Sequence, residues 1–265
     1  MERSRTSLES EVHPSAVIDA SAELAPDVSV GPYAVIGPNV IIGDGTRVWP
    51  HAVIERDTTI GRSCRIHAGA VLGGDPQDLK YRGEASQLVI GDRTVIRECV
   101  TLNRGTEASG RTVVGSDCLL MAYAHVAHDC VIGNHVVLAN AVNMGGHIHI
   151  GDWVVVGGMT AIHQFVHIGQ HAIVGGASAA RKDVPPYMKA SGNPMSLYGL
   201  NSVGLERRGF AEDVRQELRR AYRILFKSQL NVRQGAEKVR AELRQIPEVV
   251  LLLEFIERST RGITV

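Results

Sequence analysis

The sequence predicts a mainly β protein: a solenoid of short parallel strands followed by a small α-helical C-terminal domain. Three observations carry this. Nearly every sixth residue from Val12 to Val174 is a large aliphatic. Glycine is frequent, at 28 residues, while aromatics make up only 5%, so the backbone turns often and packs aliphatic side chains. Beyond Pro185-Pro186 the six-residue period gives way to a helical one.

The period runs Val12, Ile18, Leu24, Val30, Ile36, Ile42, Val48, Ile54, Ile60, Ile66, Leu72, then Ile90, Ile96, Leu102 and Val114 through Val174. Of the 28 multiples of six in that span, Asp78, Glu84 and Ala108 alone are not large and aliphatic. A period of six is neither a helical 3.6 nor a simple alternation. It fits strands that each point one aliphatic residue inward, with three hexapeptides closing one coil of a triangular prism. Glycine often follows the aliphatic (Gly31, Gly37, Gly43, Gly61, Gly91), where the expected use is to let the chain turn. Small or β-branched residues hold the fifth place, as in Ala34, Thr46, Ala52 and Ala70.

Two polar, turn-rich interruptions, Gly73–Val89 and Asn103–Val113, are expected to loop out of the solenoid, and loops on a rigid scaffold commonly carry function. The expected domains are 1–186 for the solenoid and 187–265 for the helices. In the latter, Val214, Leu218, Ala221, Tyr222 and Leu225 form one apolar face. Pro247 opens a last helix carrying Val250, Leu251, Leu253 and Phe255. These helices are expected to cap the open end of the solenoid.

No stretch reaches the ~18 apolar residues of a membrane span, so no membrane insertion is expected. The polar opening Met1–Ser10 does not read as a signal peptide, which makes the cytoplasm the expected compartment. Cys64, Cys99, Cys118 and Cys130 show no paired spacing and read as structural. Net charge is zero, yet residues 181–265 hold 16 Lys+Arg against 10 Asp+Glu, a basic tail that hints at an acidic partner. No nucleic-acid partner is expected.

Eight of the 11 histidines lie between His125 and His171. With positions taken modulo eighteen, His125, His128, His147 and His163 gather at one edge, and Gly146 and Gln164 share the phase of His128. Histidine accepts a proton near neutral pH. Asp129 follows His128 and can orient its ring. Gly146 offers an unobstructed backbone N–H of the kind an oxyanion site uses.

Segments QDLKYRGE (77–84), GSDCLLMAYAHVAHDC (115–130), GGMTAIHQF (157–165), DVPPYMKASGNP (183–194), LNSVGLERRGF (200–210) and ERSTRG (257–262) together resemble the UDP-N-acetylglucosamine O-acyltransferase family of lipid A biosynthesis. The resemblance covers nearly the whole chain. It implies a left-handed parallel β-helix with a helical C-terminal domain, assembled as a homotrimer with active sites between subunits. His128 is then the general base, Asp129 its orienting partner, and Gly146 the oxyanion donor. The acceptor is the 3-position of a UDP-sugar, and the donor is a 3-hydroxyacyl group on acyl carrier protein, with no metal and no cofactor. Asp78 and Lys80 correspond to sugar-nucleotide contacts, and His125, His147, His163 and Gln164 to the pocket lining. Asn201, Arg207 and Arg208 correspond to nucleotide and phosphate contacts, where arginine suits a diphosphate. Gly176 corresponds to the position that limits acyl length, with room here for a longer chain.

Asn103 stands where a histidine often precedes Arg104-Gly105-Thr106, and Val203 where a glutamate often lies near the nucleotide. Some members take an acceptor with an amine at C3, which is an alternative reading. A related N-acylating enzyme usually has an additional N-terminal domain, whereas hexapeptides begin here by Val12. A zinc lyase on the same fold would use His135 and His171, two coils apart, but that edge lacks a third histidine. The stripe Arg215, Arg219, Arg223 could dock an acidic carrier, with a solvated helix face as its plainer reading. A non-catalytic scaffold leaves the histidine edge unexplained.

Overall fold

The computed structural model describes residues 11–265; the polar opening Met1–Ser10 lies outside them. The chain forms two compact units, one ending at Asp129 and one running from Cys130 to Val265.

In the first unit, strands mostly two residues long stack into three parallel ladders. One ladder runs through Val17–Ile18, Val35–Ile36, Val53–Ile54, Val71–Gly74, Thr101–Asn103 and His125–Val126. Each short strand points its first residue outward and its second inward, so Ile36, Ile54, Leu72, Leu102 and Val126 are all buried. The small fifth-place residues are equally buried: Ala34, Thr46, Ala52, Cys64, Ala70, Cys118 and Ala124 sit behind the aliphatic column. Cys64, Cys118 and, in the second unit, Cys130 thus fill one packing slot, whereas Cys99 is exposed; none of the four is in a disulfide.

The glycines after the inward aliphatic answer a different need from the one expected. Their backbone angles are ordinary, and the chain turns two residues later, at Asn39 (φ 57°), Ser63 (φ 54°), Arg93 (φ 56°) and Asp117 (φ 59°). This left-handed conformation is uncommon outside glycine, and Asn and Asp tolerate it better than most residues. What excludes a side chain at Gly37 is the next coil: a Cβ there would lie 1.6 Å from the Glu55 carbonyl oxygen.

Register explains how the six-residue phase survives both interruptions. Val35 pairs with Val53, eighteen residues on. Arg65 pairs with Val95, thirty on, and Val95 with Leu119, twenty-four on. The surpluses are twelve and six residues, both whole hexapeptides, so the aliphatic phase resumes unshifted. The interruptions are also shorter than expected. Strands Val71–Gly74, Gln87–Ile90, Thr101–Asn103 and Arg111–Val114 claim their ends, leaving 75–86 and 104–110 outside the ladders. Leu88, placed within the first interruption, is a buried ladder residue opposite Thr58.

The second unit continues with the same strands and corners through Ala179–Ala180, and closes one ladder with Met188–Ser191 and the antiparallel Ser196–Leu200. Four helices follow: α1 (Ser202–Arg207), α2 (Glu212–Phe226), α3 (Val232–Glu242) and α4 (Pro247–Arg258). On α2, Leu218, Ala221 and Leu225 are buried as expected, while Val214 and Tyr222 flank that face. On α4 the buried residues are Val249, Leu252 and Leu253; Val250 is exposed, because the i, i+3, i+4 stripe starts one residue earlier than Val250. A reciprocal capping box between Asn231 and Gln234 starts α3. Buried Asp183 ties the C-terminal segment to the coils, accepting from the His167 N–H (2.8 Å) and the Ser259 hydroxyl (2.6 Å).

Candidate active site

The strand His125–Val126 delivers His128 to the corner that follows it, and the chain turns at Asp129 with φ 60°. The two neighbouring side chains meet there, His128 Nδ1 lying 2.7 Å from Asp129 Oδ2. Both residues are buried. The Asp129 carboxylate also accepts the Thr106 backbone N–H (2.9 Å), the Thr106 hydroxyl (2.7 Å) and the Ser109 hydroxyl, while its own N–H donates to Thr112 Oγ1 (2.8 Å). Burial works against its charge, but the donors from Ser109, His128 and Thr106 outweigh it and hold the carboxyl at about 2. A carboxylate ionised at every physiological pH accepts a hydrogen bond from Nδ1–H. That hydrogen bond keeps the ring proton on Nδ1 and puts the lone pair on Nε2, the arrangement a general base requires.

His125 stands beside this pair with Nδ1 2.7 Å from the Thr101 hydroxyl, and burial, followed by the charge of His128, lowers its pKa. Asn103 is buried and uses its side-chain N–H to hold the Asp75 carbonyl (2.9 Å), which leaves its Oδ1 without a partner in the chain. Asp78 accepts the Lys80 backbone N–H (2.9 Å), folding the tip of the 75–86 loop, and Lys80 is exposed. Arg104, Thr106 and Ser109 received no role from the sequence because nothing in a polar loop marks which side chains turn inward.

In the second unit Gly146 is buried, and its carbonyl accepts the Phe165 N–H (3.1 Å), which stacks Phe165 on His147 at 4.5 Å between ring centroids. His163 and Gln164 are exposed, and His163 Nδ1 lies 3.1 Å from Arg261. Gly176 is exposed at a different corner, where a Cβ would lie 3.1 Å from the Gly158 carbonyl oxygen.

Asn201 is buried and engaged: its Oδ1 caps α1 through the Gly204 N–H, and its Nδ2 donates to the His171 carbonyl (2.9 Å). Arg207 is exposed. Arg208 lies over the Trp153 ring, 5.3 Å from its centroid, with Nη1 buried and unpartnered in the chain, and burial lowers its pKa. His135 and His171 do not face each other. The Trp153 ring stacks between them, 3.9 Å from one and 6.3 Å from the other, so the pair cannot share an ion. Along α2, Arg215 and Arg219 are paired with Glu206 and Glu212, which takes two members out of the basic stripe.

A buried histidine held by an ionised carboxylate at the corner of a hexapeptide-repeat β-helix defines an acyltransferase of the hexapeptide class. Residues 39–74 and 111–146 match the family model for bacterial transferase hexapeptides, and residues 183–264 match that for domain 2 of Udp N-acetylglucosamine O-acyltransferase. The chain is 61% identical over 245 residues to the acyl-[acyl-carrier-protein]–UDP-N-acetylglucosamine O-acyltransferase of Chlorobaculum tepidum, covering 92% of this chain and 93% of that one. Solved structures agree. LpxA from Acinetobacter baumannii superposes with a TM-score of 0.93 at 45% identity, covering 96% and 99% of the two chains. The Bacteroides fragilis LpxA, a UDP-N-acetylglucosamine acyltransferase, gives 0.94 at 41%, with the same coverage. The chain belongs to the UDP-N-acetylglucosamine O-acyltransferase family, with its left-handed parallel β-helix and C-terminal helices.

Proposed function

We propose that the protein transfers a 3-hydroxyacyl chain from acyl carrier protein to the 3-hydroxyl of UDP-N-acetylglucosamine, the first step of lipid A biosynthesis. The observation that carries this reading is the Asp129–His128 pair, in which an ionised carboxylate fixes the imidazole tautomer with its proton on Nδ1 and its lone pair on Nε2. The relatives' names supply the donor and acceptor classes.

His128 Nε2 removes the proton from the sugar 3-hydroxyl as that oxygen attacks the thioester carbonyl carbon. The tetrahedral oxyanion receives the Gly146 N–H, a role supported by the shared eighteen-residue phase of Gly146 and His128 in the sequence. Collapse breaks the carbon–sulfur bond, and the departing thiolate takes the proton from the imidazolium. The products are the 3-O-acyl sugar nucleotide and free carrier thiol. Protons and charges balance without a covalent acyl-enzyme, and no step calls on a metal or cofactor.

Asp78, Lys80, Asn103, His125, His147, His163 and Gln164 line the sugar site in this reading. Asn201, Arg207 and Arg208 serve the nucleotide, with Asn201 acting through its cap on α1. Gly176, lacking a side chain, leaves room for a long acyl tail. The working form is a homotrimer in the cytoplasm. No helix among the described residues is long and apolar enough to cross a membrane.

The decisive experiment is mass spectrometry of UDP-N-acetylglucosamine incubated with a panel of 3-hydroxyacyl carrier proteins, beside His128→Ala. One acyl mass gained by the wild type and lost in the variant is the expected result; no product with any donor would overturn the reading. Light scattering on the purified protein tests the trimer.

A further inference from the structure

Among the arginines and lysines of the described residues, Arg104 alone is buried: its side chain is 2% exposed. Taking a guanidinium out of water costs several kcal/mol unless partners replace the lost hydration. A packed aliphatic would fill the same space without that cost. The partners all come from one segment. Arg104 donates to the Gly73 carbonyl, to the Asp75 carboxylate and to Tyr81 Oη (3.1 Å), and its backbone N–H donates to the Gly74 carbonyl (2.9 Å). A planar fork bound at three points fixes direction as well as distance. The segment so held leads into the 75–86 loop, which carries Asp78 and Lys80.

Two residues further on, Thr106 grips the Asp129 carboxylate with both its N–H and its hydroxyl. Between them Gly105 has no freedom to give: a Cβ there would lie 2.3 Å from the Arg111 nitrogen, and its own N–H is tied to the Gln87 carbonyl (3.2 Å). Three consecutive residues therefore join the first loop to the carboxylate that orients His128.

We propose that Arg104-Gly105-Thr106 is a rigid link through which the seating of the 75–86 loop sets the orientation of the His128–Asp129 pair, with Arg104 the positioning residue. This deepens the function proposed above and rests on it for the roles of His128 and the loop. The link makes the sugar-binding loop and the base one mechanical unit. A loop displaced by its own substrate contacts is felt at Asp129, and a loosened Arg104 impairs turnover as well as binding.

The test pairs kinetics with a measurement that needs no substrate. In Arg104→Lys, which keeps the charge and loses the fork, kcat should fall between about 10- and 100-fold, the scale of a small misplacement of reacting groups. Asp75→Asn, on an exposed carboxylate, should move kcat in the same direction and serves where Arg104→Lys melts early. Imidazole nitrogen NMR of the free protein should show His128 protonated at Nδ1 in the wild type and a mixture of tautomers in both variants. An unchanged kcat with a raised KM alone, or an unchanged His128 signal in both folded variants, would overturn the link. A wild type that is inactive yet shows the tautomer shift in the variants would refute the function and leave the link standing.

Discussion

Asp129 and His128 are consecutive in the chain, yet their side chains lie 2.7 Å apart, Oδ2 to Nδ1, across a left-handed corner at Asp129. The same corner recurs at every hexapeptide in which φ turns positive, so the fold already contains the geometry that a base and its orienting carboxylate require. The insert 104–110 adds what the corner lacks, a set of hydroxyl and N–H donors over the carboxylate.

His128→Gln removes the proton acceptor while keeping size and polarity. A positioned general base contributes roughly 10²–10⁴ in rate, so kcat should fall by that factor with KM for the sugar nucleotide little changed. Steady-state kinetics alongside a thermal melt checks it; a loss in melting temperature with kcat retained would refute the role.

The depressed Asp129 carboxyl also makes a statement about stability. Its folded value of about 2 lies below the ordinary 3.8, so the unfolded chain binds more protons between those values. The contribution is fully present above about pH 4 and is lost as pH falls through about 2, amounting to about 2 kcal/mol at 1.36 kcal/mol per pKa unit. Urea denaturation of wild type and Asp129→Asn across pH 2–7 should show two curves that converge at the acid end.

His171 gives a second window, higher on the scale. Burial, followed by the charge of Arg208, lowers it from 6.5 to about 4, so it stays neutral in the fold while the unfolded chain protonates. Stability from this group is complete above pH 6.5 and is lost between there and about 4, on the order of 3 kcal/mol. Its Nδ1 is buried without a partner in the chain, and its ring stacks on Trp153 and Tyr187. His171→Phe keeps the stack and should flatten that stretch of the stability curve; an undiminished slope between pH 4 and 6.5 would assign it to other groups.

Gly37 and Gly45 should differ in their tolerance of substitution. A Cβ on Gly37 would collide with the Glu55 carbonyl oxygen, so Gly37→Ala should cost about 1–3 kcal/mol as an overpacked site. Gly45 sits at a corner with φ 67°, has ordinary room for a Cβ, and corresponds to the corner that Asn39 occupies one hexapeptide earlier. Gly45→Asn should fall within about 1 kcal/mol of wild type. Urea melts of the two variants decide this.

Much of the fold was legible because a β-helix repeats one local requirement. Each inward position needs an aliphatic such as Ile36 or Ile54, and each coil returns to it, so the period reports burial directly. The role of Gly37 was misread for the opposite reason: the coil that excludes its side chain lies eighteen residues away, and no local pattern carries that contact. The site divided the same way. His128 and Asp129 stood out by type and adjacency, whereas Arg104, Thr106 and Ser109 lie in an insert whose folding obeys no period.

The sequence alone determined the parallel ladders, the inward column, the two inserts, the helical C-terminal segment and the candidate base, because hydrophobic burial at fixed spacing is a property of the chain itself. The tertiary structure decided which donors reach Asp129, that Trp153 separates His135 from His171, and that Arg104 is buried among Gly73, Asp75 and Tyr81. Those are matters of direction. A hydrogen bond or a stacked ring exists only when two distant segments arrive in one orientation, and spacing along a chain specifies distance from the axis but not where a polar side chain in an insert will point.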